Sequence, residues 1–170
     1  MVGVGEDSRD AWLQSEPAIH VEARDVDDRG RFTIPAEVRK GLKWLDAGQH
    51  PIVVLGRRGY AQLLPASEGT RLGEERRSLL EALGSGENGT DALILWHARH
   101  RILSVERSGS ACRVELPLDI ALHFEARTLV SEGAPSPPGV IVVTRCLDRV
   151  ELWSQREHAR RVHQAAVDGV

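Results

Sequence analysis

The chain has 170 residues, a formal net charge of −3 at pH 7 and a sequence pI near 6.2. A chain of this length holds one ordinary domain or two small ones and can bury a core without disulfide staples. The slightly acidic balance excludes a uniformly basic coat, so any contact with nucleic acid has to come from a local patch.

Cysteine spacing and the length of the apolar runs argue against a disulfide-bonded, secreted or membrane-spanning protein. Cys112 and Cys146 lie in separate strand-like runs without CxxC spacing, which favours reduced thiols over a disulfide or a zinc site. Residues 1–19 are polar and acidic and are predicted to be a flexible tail rather than a secretory signal. No segment approaches the roughly 20 apolar residues that cross a bilayer, so we expect a soluble protein without a membrane partner.

Residues 20–65 have the pattern of a ββαββ unit. Its predicted elements are strands over 20–26, 31–34, 52–55 and 60–64 and a helix over 36–42. Gly30 can adopt the positive φ that closes the first hairpin. In the second strand Phe32 and Ile34 alternate with polar residues, so we expect them to face a core. Pro35 has a φ that already suits the first position of a helix.

The same order of elements returns in the second half. Arg113 to Ile120 reproduces Arg31 to Val38 position by position in chemical type, with a proline at the same place. We therefore divide the chain into a tail (1–19), a first repeat (20–65), a helical linker with a connecting strand at the apolar run 92–96 (66–100), a second repeat (101–154) and a C-terminal helix (155–170).

The C-terminal helix is predicted to begin at the capping-box spacing of Ser154 and Glu157. Its cationic residues include Arg156, Arg160 and Arg161. We interpret them as a solvated face in preference to a contact surface, because charged helix faces usually are solvated.

Candidate catalytic and ligand-binding patterns are weak. The run 84–89 matches a dinucleotide-binding fingerprint by its letters, yet it follows a predicted helix and precedes a strand-like run, so we interpret it as a linker. His97 with His100, and His158 with His163, have no third ligand at metal spacing. No nucleophile elbow stands out. We predict no catalytic residue, no metal site and no cofactor, and nothing in the sequence requires an enzyme.

The run from Val26 to Leu42 resembles the signature of AbrB-like transition-state regulators, a family that includes the MazE antitoxins and the tandem MraZ regulators. The resemblance implies a mainly β fold with short helices. In that fold two ββαββ units exchange hairpins to close a swapped-hairpin, double-split β-barrel. Two units in one chain, joined and followed by a helix, look most like the MraZ arrangement.

The resemblance also implies sequence-specific DNA binding by basic side chains around the turn and on the short helix. The corresponding residues are Arg24, Arg31, Arg39 and Lys40, with Arg29 added from the turn itself, on a motif framework of Asp27, Gly30 and Pro35. Guanidinium groups on a β-ribbon can reach phosphates and guanine edges in a major groove. We expect a cytoplasmic, nucleoid-associated bacterial regulator that binds promoter or operator DNA as a homo-oligomer.

The second repeat departs from this pattern. Aligned on the prolines, Asp27 becomes Gly109, Gly30 becomes Cys112 and Arg39-Lys40 becomes Ala121-Leu122, while Arg31 is retained as Arg113. A phosphate-binding surface needs several cations, so we predict that this repeat completes the barrel and builds the oligomer. The alternative is a protein-binding module, an antitoxin-like partner or an adaptor, that keeps the barrel without binding DNA.

Overall fold

A computed structural model describes residues 20–40, 42–46, 49–84, 86–126, 139–146 and 149–169. The predicted tail, residues 1–19, lies outside these residues. The strands are β1 (His20–Val26), β2 (Arg31–Thr33), β3 (Ile52–Leu55), β4 (Tyr60–Leu64), β5 (His100–Ile102), β6 (Ser104–Ser108), β7 (Ala111–Glu115), β8 (Gly139–Cys146) and β9 (Arg149–Ser154). The helices are α1 (Ala36–Arg39), α2 (Lys43–Asp46), α3 (Gly69–Leu83), α4 (Glu87–Arg99), α5 (Leu118–His123) and α6 (Gln155–Asp168).

The strands form two antiparallel sheets. Six strands are ordered β1-β8-β9-β4-β3-β5, three are ordered β2-β7-β6, and neither sheet closes into a barrel within the described residues. The described residues are 44% helical and 35% strand. A mainly β fold with short helices is therefore too narrow a prediction, because α3, α4 and α6 have 15, 13 and 14 residues.

Strands of the two halves interleave in the large sheet. β1 pairs with β8 along its whole length, from His20 opposite Arg145 to Val26 opposite Gly139. At the other edge of the sheet β5, from the second half, pairs with β3 of the first half. At the centre, β4 of the first half pairs with β9 of the second half. Each half thus adds its first strand to the third strand of the other half. Because these pairings are non-local, neither half completes the sheet alone.

The two halves share one apolar core. Phe32, Ile34 and Val38 of the first half are at most 2% exposed, as are Leu116 and Ile120 of the second half. The predicted alternation in β2 is confirmed, since Phe32 is buried between half-exposed neighbours. Each such side chain contributes roughly 1.5–3 kcal/mol on burial, so this seam is a main source of stability.

The short helix after Pro35 differs from the prediction. It covers Ala36–Arg39 and not residues 36–42, because Lys40 has an extended ψ of 124° and a second helix starts at Lys43. Pro35 precedes the helix with ψ 143° instead of occupying its first turn. The interruption lets Leu42 join the core, where it is 3% exposed.

The predicted connecting strand at 92–96 is wrong, because this run lies inside α4. A short apolar run does not distinguish strand from helix by its periodicity. α3 ends at Leu83 and α4 begins at Glu87 after its N-cap Gly86, so this glycine-rich run follows a helix, whereas a dinucleotide-binding turn follows a strand. The first strand of the second half is also divided, since buried Leu103 separates β5 from β6. No helix in the described part of the chain is long and apolar enough to cross a membrane.

Candidate nucleic-acid interface

A single carboxylate organises the turn between β1 and β2. Asp27 Oδ1 accepts hydrogen bonds from the backbone N–H of Arg29 at 3.0 Å and of Arg31 at 2.8 Å. Its other oxygen, Oδ2, accepts from Arg31 Nε at 2.9 Å and lies 2.8 Å from Arg31 Nη2. Asp27 therefore holds the backbone of the turn and the guanidinium that follows it in one geometry.

Both charges of this pair are stabilised by the contact. Burial acts to raise the pKa of Asp27, but the hydrogen bonds from Arg31 and Arg29 outweigh it and lower that pKa below its usual 3.8. The hydrogen bond to Asp27 likewise raises the pKa of Arg31. The pair is thus ionised at neutral pH.

Gly30 meets two requirements in the same turn. It has φ +81°, as the sequence predicted, and its N–H donates to Asp27 O at 3.0 Å. Its carbonyl accepts from Leu116 N at 2.9 Å, and a Cβ built on Gly30 would lie 2.6 Å from Leu116 O. Glycine is therefore needed for the turn and for the approach of the second half.

The other two cations of the first hairpin differ in their surroundings. Arg29 is exposed at the turn, and its side chain has no hydrogen-bond or ion-pair partner among the described residues. Arg24 lies on β1 with Nη2 2.5 Å from Glu22 Oε1 and is 36% exposed. Its buried Nε has no hydrogen-bond partner among the described residues. Among the three arginines of the first hairpin, Arg29 is accordingly the one most open to a ligand.

Arg39 and Lys40 lie elsewhere, beside the hairpin of the second half. Arg39 donates from Nη1 to the carbonyl oxygen of Ser110 in the β6–β7 turn, and Lys40 Nζ lies 2.5 Å from Glu37 Oε1. Arg107 at the end of β6 donates from Nη2 to Gln49 O at 3.0 Å, which ties that hairpin to the residues before β3. The first hairpin follows β1, which ends at the other end of the six-stranded sheet, away from the β6–β7 hairpin. β3 ends there too. The predicted DNA-binding residues are thus divided between the two ends of the six-stranded sheet.

The second hairpin, between β6 and β7, lacks the carboxylate that binds the turn and an arginine in the first hairpin. Gly109, at the position of Asp27, has φ +57° and no atom within 4 Å of a built Cβ. Arg113 is exposed and has no carboxylate partner at hydrogen-bond distance among the described residues. The backbone bond between halves is nevertheless retained, since Ile34 N donates to Cys112 O at 2.8 Å.

Four further arginines lie at the end of the sheet that carries the first hairpin. Because neighbouring strands are antiparallel, β1 and β9 end where β4 begins. The arginines are Arg57 and Arg58 in the β3–β4 turn and Arg156 and Arg160 in α6. In the sequence, Arg57 and Arg58 lie between the predicted strands 52–55 and 60–64, and Arg156 and Arg160 lie on a helix predicted to be solvated. No sequence pattern indicates that the two groups meet.

Metal-ligating side chains do not cluster in the described residues, where no group of three or more His, Cys, Asp or Glu could hold an ion. His100 packs instead on Trp96, with ring centroids 4.1 Å apart. Cys112 is buried in β7, and Cys146 is half-buried at the end of β8 in the other sheet. No protein-family model and no curated protein matches the chain at a significant level.

Proposed function

We propose that the protein is a sequence-specific DNA-binding transcriptional regulator of the AbrB/MraZ type, with the first hairpin as its reading element. The observation that carries this proposal is the Asp27 carboxylate, which fixes both the turn backbone and the Arg31 guanidinium. A fixed guanidinium loses little conformational entropy when it binds a phosphate or a guanine edge.

The arginines of the first hairpin have N–H donors that are free to bind phosphates or base edges of nucleic acid. Arg31 uses Nε and Nη2 on Asp27, and its Nη1 donates no hydrogen bond to a described residue, although the charges of Glu106 and Glu115 also act on this guanidinium. Arg29 projects from the exposed turn two residues earlier. A two-stranded β-ribbon fits the major groove, where arginine binds guanine O6 and N7 and neighbouring cations bind phosphates.

The fold that we propose with this function is the swapped-hairpin barrel of the AbrB type, formed within one chain. The pairing of each half's first strand with the other half's third strand supports it. Arg39 and Lys40 then form a separate contact at the opposite end of the sheet. A homo-oligomer would place several first hairpins on repeated sites of a promoter.

The test uses duplex DNA from the region upstream of the coding sequence. The double variant Arg29→Ala/Arg31→Ala should bind it at least tenfold more weakly than the parent. The slope of log affinity against log salt should fall by about 0.9 for each phosphate that the variant no longer neutralises. Arg113→Ala is the matched control, because it removes the corresponding arginine of the second hairpin, and it should change affinity less than twofold. Equal affinity of parent and double variant, with unchanged circular dichroism, would contradict the proposal.

The alternative function is a protein-binding module that does not bind DNA. Two observations favour it: Arg39 is hydrogen-bonded to Ser110, and Ile94 and Leu95 on α4 are 63% and 51% exposed. A salt-dependent shift of upstream DNA at sub-micromolar protein would exclude this alternative. Absence of any shift for the parent would favour it.

A further inference from the structure

Four arginines from two separate elements meet at the first-hairpin end of the large sheet. Arg57 and Arg58 belong to the β3–β4 turn, and Arg156 and Arg160 belong to the first two turns of α6. We call these four residues the arginine quartet. They are far apart in sequence, and only the tertiary structure brings them together.

Two glutamates hold the quartet in pairs. Glu125 Oε1 lies 2.8 Å from Arg156 Nη2 and 3.4 Å from Arg58 Nη2. Glu157 Oε1 lies 2.7 Å from Arg160 Nη2 and 3.3 Å from Arg57 Nε. Oε1 of each glutamate therefore contacts two guanidinium groups, and each set of one glutamate and two arginines keeps one net positive charge.

The β3–β4 turn is attached firmly to the start of α6. Gly59 has φ +80°, its N–H donates to His123 O at 3.1 Å, and its carbonyl accepts from Ser154 N at 2.7 Å. A Cβ at Gly59 would lie 2.5 Å from Ser154 Oγ, the oxygen that caps α6 by accepting from Glu157 N at 3.1 Å. These contacts fix the spacing between the arginines of the turn and those of the helix.

The quartet keeps more donors than its glutamates can satisfy. Arg58 and Arg156 have side chains that are 76% and 74% exposed, while each makes one ion-pair contact. A guanidinium carries five N–H donors, so most of them face solvent. Positioned guanidinium groups with N–H donors left open to solvent are suited to binding oxyanions.

We propose that the arginine quartet binds phosphate groups of the nucleic-acid backbone and forms a second contact surface beside the first hairpin. The identity of the ligand as DNA rests on the proposed function; the affinity for phosphate does not. β1 and β4 are separated by three strand spacings in the sheet, about 14 Å at 4.7–4.9 Å each. A duplex across this end of the sheet spans that separation, because its phosphates recur along the helix axis every few ångströms.

The test measures the parent and Arg58→Ala/Arg156→Ala with two probes, upstream duplex DNA and inorganic tripolyphosphate alone. The variant should bind the duplex about tenfold more weakly, with the salt slope reduced by about 1–2, and should lose tripolyphosphate binding in calorimetry. Arg77→Ala/Arg99→Ala is the matched control, since it removes two exposed arginines on α3 and α4, and it should retain both affinities.

A second variant separates this site from loss of folding. Glu125→Gln removes a negative charge that Arg58 and Arg156 share, so it should bind tripolyphosphate two- to fivefold more tightly than the parent. Misfolding does not produce tighter binding. The proposal is overturned if Arg58→Ala/Arg156→Ala binds both probes as the parent does, or if the parent binds neither probe. If the parent binds tripolyphosphate through the quartet but no duplex, the phosphate site stands and the proposed function fails.

Discussion

The hairpins of the two halves occupy corresponding places and differ in what their turns contain. They pair with each other through β2 and β7, and one backbone bond lies beyond each end of that ladder, from Leu116 N to Gly30 O at 2.9 Å and from Ile34 N to Cys112 O at 2.8 Å. Only the first hairpin has a carboxylate, Asp27, that binds the turn and an arginine. The two backbone bonds present at both hairpins are therefore part of the fold, whereas Asp27 and Arg31 add a positioned charge to the first hairpin alone.

The largest expected effect comes from Gly30→Ala. The substitution strains a backbone at φ +81° and places a Cβ 2.6 Å from Leu116 O, so we expect it to lower the free energy of unfolding by about 2–5 kcal/mol. Gly109→Ala meets no atom within 4 Å and should cost about 1–2 kcal/mol from φ alone. Urea unfolding measures both. Equal losses would mean that the approach to Leu116 does not constrain the first turn.

A smaller effect is expected from Asp27→Asn, which weakens two backbone hydrogen bonds and removes the charge opposite Arg31. We expect a loss of about 1 kcal/mol at pH 7. Because the pKa of Asp27 in the folded protein is below 3.8, its contribution is complete above that value and is lost as pH falls through the folded pKa. The melting temperatures of parent and variant should therefore converge below pH 3.8. A difference that stays constant with falling pH would contradict this role.

The smallest effect is expected from Gly109→Asp, which places an acid four residues before Arg113 as in the first hairpin. Aspartate tolerates positive φ better than most residues, and an exposed ion pair contributes little, so the melting temperature should change by less than about 4 °C. Adding Arg113→Ala to Gly109→Asp measures the coupling between the two side chains. A coupling above about 1 kcal/mol would show that the arrangement can be transferred to the second hairpin.

Local features of the sequence predicted much of the first hairpin. Gly30 at positive φ, the alternation of Phe32 in β2 and the start of the last helix at its Ser154 cap all follow from the sequence. Each depends on a few adjacent residues and their backbone preferences. The helix over 92–96 was mistaken for a strand because its short apolar run carries no decisive period.

The order of residue types is enough to predict that the chain repeats one pattern of elements and that only the first copy carries the Asp27–Arg31 pair. Three features became visible only in the folded chain. The first strand of each half pairs with the third strand of the other half, Arg39 lies against Ser110 away from the first turn, and the arginine quartet forms. The physical reason is that strand exchange and ion pairs between distant elements depend on which surfaces meet, and the spacing of residues along the chain does not specify that.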